Sequence, residues 1–183
     1  AMLACMRALG LDAELAGDRV SITGRAGART EPASLHAALA GTTSRFVTAL
    51  AALGSAPVTV DGHPPLRKRP FGPLHDALAQ LGVSIETPEG WGSLPVTVHG
   101  PPSSGTVAIR GDVSSQYVTA LMLIGPYLPG GLRLELTSRL VSRPYVTMTA
   151  AVMRWFGHGG VEVGDDLVTV APGAYAPNDV FVE

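Results

Sequence analysis

A run of seven residues occurs twice in this chain with nearly the same sequence. Residues 44–50 read SRFVTAL and residues 115–121 read SQYVTAL, so the copies lie 115 − 44 = 71 residues apart. A second motif follows each copy, Arg69-Pro70-Phe71 and then Arg143-Pro144-Tyr145, at a spacing of 143 − 69 = 74 residues. Two motifs that recur in one order at nearly constant spacing indicate a duplicated structural unit.

Each unit predicts the same succession of elements. An apolar helix begins at the serine-rich run, and a strand follows it. A second helix begins near Pro70 or Pro144, because proline is tolerated only in the first turn of a helix. Gly82 and Gly157 are suited to the left-handed position that ends a helix. A hairpin closes each unit, and its strands are predicted at 83–86 with 94–98, and at 161–163 with 167–170.

The first residues of the chain match the second half of such a unit. Ala8-Leu9-Gly10 corresponds to Gln80-Leu81-Gly82, which lies 82 − 10 = 72 residues later. We therefore predict one α/β domain. It holds the second half of a first unit over 1–30, a second unit over 31–100 and a third over 101–183. The repeat also leads us to expect that the first half of the first unit precedes residue 1.

Composition excludes several classes of protein. The 183 residues are enough for one sizeable core, and 46% of them are hydrophobic. The formal charge of −2 gives no general attraction to nucleic acid or to a membrane surface. No apolar run approaches the ~18 residues of a membrane span, and no signal peptide is recognisable, so we expect a cytoplasmic protein. Cys5 is the single cysteine, and we expect it in the core rather than in a disulfide.

The strongest candidates for chemistry lie where the two apolar helices begin. Ser114, Ser115 and Gln116 combine hydroxyls with the free N–H groups and positive dipole end of a helix, which suits a phosphate. The alternative is that Ser114 only caps the helix and Gln116 is a polar surface residue. In the other copy, Gly41 permits close backbone approach, and Arg45 either reaches an anion or pins the loop.

Two cationic segments add to this pattern. Arg67, Lys68 and Arg69 lie in a loop between prolines, and a stiff basic loop suits a carboxylate or a phosphate. The alternative is a solvated run of charges. Residues 142–145 bring a hydroxyl, a guanidinium and a phenol together, although Arg143 has a structural alternative as well.

Other kinds of site find no support in the sequence. The five histidines are scattered, without the i, i+4 spacing of a zinc site. There is neither a Ser-His-Asp arrangement nor a glycine-rich nucleotide fingerprint. We therefore expect no metal and no cofactor, and no catalytic acid or base within this chain.

Four segments together resemble the 5-enolpyruvylshikimate-3-phosphate synthase family of enolpyruvyl transferases. They are residues 40–46 (AGTTSRF), 67–74 (RKRPFGPL), 114–117 (SSQY) and 141–145 (VSRPY). The resemblance implies a fold of two lobes, each built from three βαβαββ units with helix N-termini facing the cleft. This chain corresponds to most of one lobe, and the second lobe lies outside it.

The resemblance also implies an activity. Enzymes of this family transfer the enolpyruvyl group of phosphoenolpyruvate to the 5-hydroxyl of shikimate-3-phosphate and release phosphate, on the way to chorismate and the aromatic amino acids. For shikimate-3-phosphate, the resemblance implies a set of five binding residues: Ser114, Ser115, Gln116, Ser142 and Tyr145.

For phosphoenolpyruvate, the resemblance implies Gly41 and Gln116, together with an arginine. The family often has an arginine four residues before its Arg-Pro pair, where this chain has Pro65. We expect Arg67 to take its place, and Arg69 next. Arg45 and Arg143 are expected to anchor loops.

The expected partners are the two small-molecule substrates and the second lobe, within a monomeric full-length protein that binds neither nucleic acid nor membrane. The family's acid–base residues lie on the other lobe, so this chain alone is expected to bind weakly and catalyse nothing.

The nearest alternative is the sibling transferase acting on UDP-N-acetylglucosamine, which usually carries a cysteine before its Arg-Pro pair. Residues 63–68 contain none. Further alternatives are a non-catalytic repeat domain that binds an anion or a protein, and a purely structural repeat.

Overall fold

The computed structural model describes residues 1–24 and 30–181. The boundary predicted at residue 30 adjoins residues 25–29, which lie outside the described residues, as do 182–183. In chain order the helices and strands are α1 (Met2–Ala8), β1 (Asp12–Ala16), β2 (Arg19–Thr23), β3 (Ala33–His36), α2 (Gly41–Ala51), β4 (Val58–Asp61), α3 (Pro64–Arg67), α4 (Gly72–Gln80), β5 (Ser84–Glu86), β6 (Val96–His99), β7 (Thr106–Ile109), α5 (Ser115–Ile124), β8 (Leu132–Leu136), α6 (Arg143–Trp155), β9 (Val161–Val163) and β10 (Leu167–Val170).

Two four-stranded sheets have the same construction. One has the order β3-β4-β6-β5 and the other β7-β8-β10-β9. In each sheet the first pair is parallel and the other two pairs are antiparallel. Each sheet with its helices is therefore a βαβαββ unit, and the predicted α/β class is confirmed, as are both predicted hairpins. The division into units at residues 30 and 100 stays a prediction.

The helices α2 and α5 connect the parallel strands of their sheets and pack against each other. Thr42 is the one exposed residue of α2, and every residue of α5 is buried or half-buried. Both apolar helices predicted at the serine-rich runs are thus present, and both are buried nearly all round. Because these two helices run side by side, their N-terminal ends lie next to each other, and the two serine-rich runs become neighbours.

The starts of two helices add detail to these expectations. α2 begins at the serine-rich run, at Gly41, with Ala40 as its N-cap. The hydroxyl of Ser44 donates to the Gly41 carbonyl oxygen at 2.9 Å, so this serine binds inside the first turn rather than capping it. The expectation that Arg67 lies in a loop was wrong: it is the last residue of the short helix α3, because prolines at the first two positions of that helix suit a helix start.

The predicted glycine helix ends are confirmed. Gly10, Gly82 and Gly157 have φ of 80°, 87° and 80°, in the left-handed region that favours glycine. The agreement of Gly10 with the other two supports its place in the repeat. Cys5 is 1% exposed, so its expected place in the core is confirmed as well.

The hairpin of β1 and β2 forms a separate two-stranded sheet. In the other units the last strand, β6 or β10, pairs on both sides, whereas among the described residues β2 pairs with β1 alone. Val20 and Ile22 on β2 are each 51% exposed, while Val96 and Val98 on β6 are fully buried. None of the helices in the described part of the chain is long and apolar enough to cross a lipid bilayer.

Candidate anion-binding site

A cavity of about 660 Å³ extends from the N-terminal ends of α5 and α6 along the groove between these helices. All five residues expected to bind shikimate-3-phosphate line it: Ser114, Ser115, Gln116, Ser142 and Tyr145. Apolar side chains also line the cavity, with Phe46, Leu123 and Met148 among them. The cavity therefore combines hydroxyl, amide and phenol groups with apolar side chains.

Ser114 is the N-cap of α5. Its backbone is extended, at φ −165° and ψ 131°, and its hydroxyl oxygen accepts a hydrogen bond from the backbone N–H of Gln116 at 3.3 Å. The capping alternative considered for Ser114 is thus realised, yet the residue also lines the cavity. A hydroxyl that accepts from the helix can still donate its own proton to a ligand oxygen. The positive end of the helix dipole favours an anion at the same place.

Ser142 is held in an uncommon conformation at the start of α6. It has φ 55° and ψ 39°, which is left-handed for a non-glycine residue, and its side chain makes no capping bond. Next to it, Arg143 donates to Asp165 Oδ1 at 2.5 Å and to the Val163 carbonyl at 3.1 Å. These bonds tie the first turn of α6 to the β9–β10 hairpin, which supports the anchoring role expected for Arg143.

Gly111 sets the distance between the two serine-bearing helix starts. A Cβ at this glycine would lie 2.8 Å from the Ser138 carbonyl oxygen and 3.0 Å from the Leu140 Cα, both backbone atoms. The Gly111 carbonyl also accepts from the Val141 backbone N–H at 2.9 Å. The loop that precedes Ser142 is therefore packed directly against the turn that precedes Ser114.

We expect Gly111→Ala to displace this loop. The collision with backbone should cost about 1–3 kcal/mol of folding free energy. Because Ser142 moves with the loop, affinity for a phosphate-bearing ligand at this cavity should fall about tenfold, the equivalent of one hydrogen bond. Urea unfolding and calorimetric titration measure the two effects. Gly159→Ala is the matched control, since a Cβ there would meet nothing within 4 Å. An affinity equal to that of the control would contradict the expected role of Gly111.

Two guanidinium groups approach the backbone at the start of α2. A Cβ on Gly41 would lie 2.7 Å from Arg69 Nη1 and 3.1 Å from Arg45 Nη1. Arg69 is exposed, and no side chain or carbonyl among the described residues accepts a hydrogen bond from it. Gly41 thus leaves room for the Arg69 guanidinium to approach a helix N-terminus, and among the described residues this cation has no hydrogen-bond acceptor.

Arg67, the first choice for a cation near phosphoenolpyruvate, is engaged elsewhere. Its Nε and Nη2 donate to the two carboxylate oxygens of Asp61 at 2.9 and 2.5 Å. Burial opposes ionisation of Asp61, but the hydrogen bonds and charge of Arg67 outweigh it, and the pKa of Asp61 is lowered. The structure brings Arg69 rather than Arg67 to Gly41. The geometry therefore favours Arg69 over Arg67 as the cation near phosphoenolpyruvate, whereas the sequence led us to expect Arg67 first. Pro65 lies in the first turn of α3.

Arg45 and Gln116 occupy equivalent positions of the repeat, 116 − 45 = 71 residues apart, and they are in contact. Arg45 Nη1 donates to Gln116 Oε1 at 2.6 Å. The guanidinium carbon of Arg45 lies 5.3 Å from the ring centroid of Phe71 and 5.1 Å from that of Tyr117. The sequence alone did not lead us to predict this contact. The equivalent positions of Arg45 and Gln116 in the repeat were a signal that could have indicated it.

The two groups of candidate residues are therefore adjacent. Gln116 lines the cavity at α5 and α6, and through Arg45 it contacts the group around Gly41. Within residues 1–24 and 30–181, no group of three or more His, Cys, Asp or Glu side chains could hold a metal ion. The arrangement brings together hydroxyls, an amide, helix N-termini and an arginine, and groups of this kind can bind anionic ligands at two neighbouring places.

An α/β lobe of repeated βαβαββ units, with anion-binding residues at its helix N-termini, is the architecture expected of an enolpyruvyl transferase. The profile of the family described as EPSP synthase (3-phosphoshikimate 1-carboxyvinyltransferase) matches residues 1–183. The chain belongs to this family.

Individual relatives agree with that assignment. The chain is 44% identical over 146 residues to a 3-phosphoshikimate 1-carboxyvinyltransferase of Halobacterium salinarum, covering 80% of this chain and 34% of the relative. It is 38% identical over 187 residues to the enzyme of that name from Thiobacillus denitrificans, covering 100% of this chain and 44% of the relative. The chain thus spans less than half the length of these relatives.

A solved structure shows the same fold. EPSP synthase from Acinetobacter baumannii superimposes with a TM-score of 0.70 at 17% sequence identity, covering 94% of this chain and 38% of that chain. At that identity, the superposition shows the fold alone.

Proposed function

We propose that this chain is the shikimate-3-phosphate-binding lobe of a 3-phosphoshikimate 1-carboxyvinyltransferase. In the complete reaction, the 5-hydroxyl oxygen of shikimate-3-phosphate loses its proton and adds to the enol carbon of phosphoenolpyruvate, while the neighbouring methylene carbon gains a proton. That carbon then loses a proton as the C–O bond to phosphate breaks, so the double bond forms again and phosphate leaves. One observation carries the proposal: the five residues that the resemblance assigns to shikimate-3-phosphate line a single cavity.

Each of these residues has a role that follows from its place. The hydroxyls of Ser114, Ser115 and Ser142 donate to the phosphate and hydroxyl oxygens of the ligand. The dipole of α5 adds a favourable potential for the phosphate. Tyr145 is 60% exposed, and its ring is available to lie against the carbocycle.

Phosphoenolpyruvate lies beside this ligand, at the start of α2. The Gly41 backbone and the Arg69 guanidinium bind its charged groups, and Gln116 contacts both ligands. The chemistry needs proton transfer to and from carbon and oxygen, and it needs cations around a multiply charged intermediate. We propose that the second lobe supplies these groups in a monomeric cytoplasmic protein. The isolated chain then binds ligand without turnover.

Calorimetric titration of the 183-residue chain with shikimate-3-phosphate tests the proposal. We expect saturable binding that weakens as salt is raised, because the phosphate contributes by its charge. The double variant S115A/S142A should weaken binding roughly 100-fold, since two hydrogen bonds to a charged group are lost. Ser84→Ala, at an exposed position on β5, is the matched control and should bind as the parent does.

Two results would reject this function. The first is an absence of saturable binding by a folded chain. The second is tighter binding of UDP-N-acetylglucosamine than of shikimate-3-phosphate, which would favour the sibling transferase.

A further inference from the structure

We infer that Arg45 is a positioning residue that fixes the orientation of the Gln116 side-chain amide, so that its NH2 group faces the ligands. The identity of those ligands rests on the proposed function. The orientation itself rests on the geometry around Arg45.

The chemistry of an arginine decides which end of the amide it binds. A guanidinium has five N–H donors and no acceptor, so only the oxygen of a carboxamide can accept from it. The contact of 2.6 Å between Arg45 Nη1 and Gln116 therefore requires Oε1 at that position. The opposite orientation would place the Gln116 NH2 group next to the Arg45 guanidinium. Both groups are donors, so no hydrogen bond could form between them. Arg45 thus removes the twofold ambiguity of the Gln116 amide.

Arg45 cannot turn away from this contact, because it is itself confined. It is only 8% exposed, between the rings of Phe71 and Tyr117. Its Nη2 lies 3.4 Å from the Pro70 carbonyl oxygen, to which the Tyr117 hydroxyl donates at 2.6 Å. The guanidinium is therefore a fixed donor rather than a mobile surface charge, and it is held by the segment that follows Arg69.

The other end of the amide faces the cavity. A carboxamide is planar, so when Oε1 is at Arg45 its NH2 group points away from the guanidinium. No described residue accepts a hydrogen bond from that group, and it is not among the buried polar atoms that lack a partner. Gln116 lines the cavity, so the NH2 group is presented there as a donor. For two anionic ligands, a donor is the required polarity, whereas a flipped amide would present an oxygen and repel them.

A double-mutant cycle tests whether Arg45 acts through Gln116. We expect Arg45→Met and Gln116→Met each to weaken shikimate-3-phosphate binding to the 183-residue chain about tenfold. In the double variant, the loss should be no greater than in Gln116→Met alone. In Arg45→Lys the side chain is still a hydrogen-bond donor with no acceptor atom, so it can still bind the amide oxygen of Gln116. This variant should retain most of the affinity. Arg133→Met, an exposed arginine paired with Glu135, is the control for loss of one positive charge.

The outcomes separate the possible roles. A further tenfold loss in the double variant, with the melting temperature unchanged, would overturn the inference, since Arg45 would then bind the ligand directly. Equal losses in both backgrounds, accompanied by a lowered melting temperature, would assign Arg45 a purely structural role and overturn it as well.

A readout without ligand keeps the test independent of the proposed function. The side-chain NH2 resonance of Gln116, assigned by its loss in Gln116→Met, should shift in Arg45→Met and move little in Arg133→Met. An unchanged resonance in Arg45→Met would overturn the inference even where Arg45→Met binds ligand. A shifted resonance in a chain that binds no shikimate-3-phosphate would uphold the orientation and reject the proposed function.

Discussion

Acidification from pH 6.5 to pH 4 is expected to cost this protein about 3 kcal/mol of folding free energy through one side chain, His75. His75 is fully buried in α4, and neither ring nitrogen has a hydrogen-bond partner among the described residues. Burial lowers the pKa of His75 to about 4, although the charge of Asp76 opposes the shift. The folded state therefore holds the imidazole neutral, while the unfolded chain binds a proton as soon as the pH falls below about 6.5.

The sign of the effect follows from that difference. Between the two pKa values the unfolded state binds more protons, so stability falls with pH, and below about pH 4 this contribution no longer changes. Urea unfolding at several pH values measures it. His75→Leu should remove most of the slope between pH 6.5 and 4, whereas His63→Gln, at an exposed position, should leave it in place. A parent protein whose stability is constant over this range would show that His75 is not held neutral.

The elements that repeat were predictable from the sequence, because periodicity and turn residues are local signals. Both hairpins and both buried helices follow from alternation, apolar runs and the glycines at 82 and 157. The short helix α3 was not predicted, because the three consecutive cations at 67–69 suggested a basic loop. Its start is nonetheless local, since Pro64 suits the first position of a helix.

The contacts of the arginines could not be predicted in the same way. Arg67 pairs with Asp61 because strand β4 ends where α3 begins, and the chain order alone does not give that geometry. Arg45 and Gln116 meet because α2 and α5 pack side by side. A repeat of the sequence implies similar environments, but here equivalent residues form one asymmetric pair, with a donor in one unit and an acceptor in the other. The divergence of the two copies is thus what makes the contact possible.

Phe71→Ala is expected to have the other large effect, on stability and on the site together. The ring of Phe71 is fully buried, and it is stacked at 5.9 Å from the ring of His75. Its backbone N–H donates to the Gly92 carbonyl at 2.9 Å, and the residue is the N-cap of α4. Truncation of a buried phenylalanine to alanine costs about 3–5 kcal/mol, because it loses burial and leaves a cavity. The urea midpoint should fall accordingly.

The same ring forms one wall beside the Arg45 guanidinium, so its loss reaches the ligand site as well. With that wall removed, Arg45 is less confined, and the Gln116 amide that it holds loses part of its fixed orientation. Phe71→Leu separates the two effects, since it restores apolar volume without an aromatic face. We expect Phe71→Leu to recover most of the stability but not all of the affinity for shikimate-3-phosphate. Full recovery of both would show that Phe71 serves the site by filling space alone, and that the cation–π contact with Arg45 contributes nothing to binding.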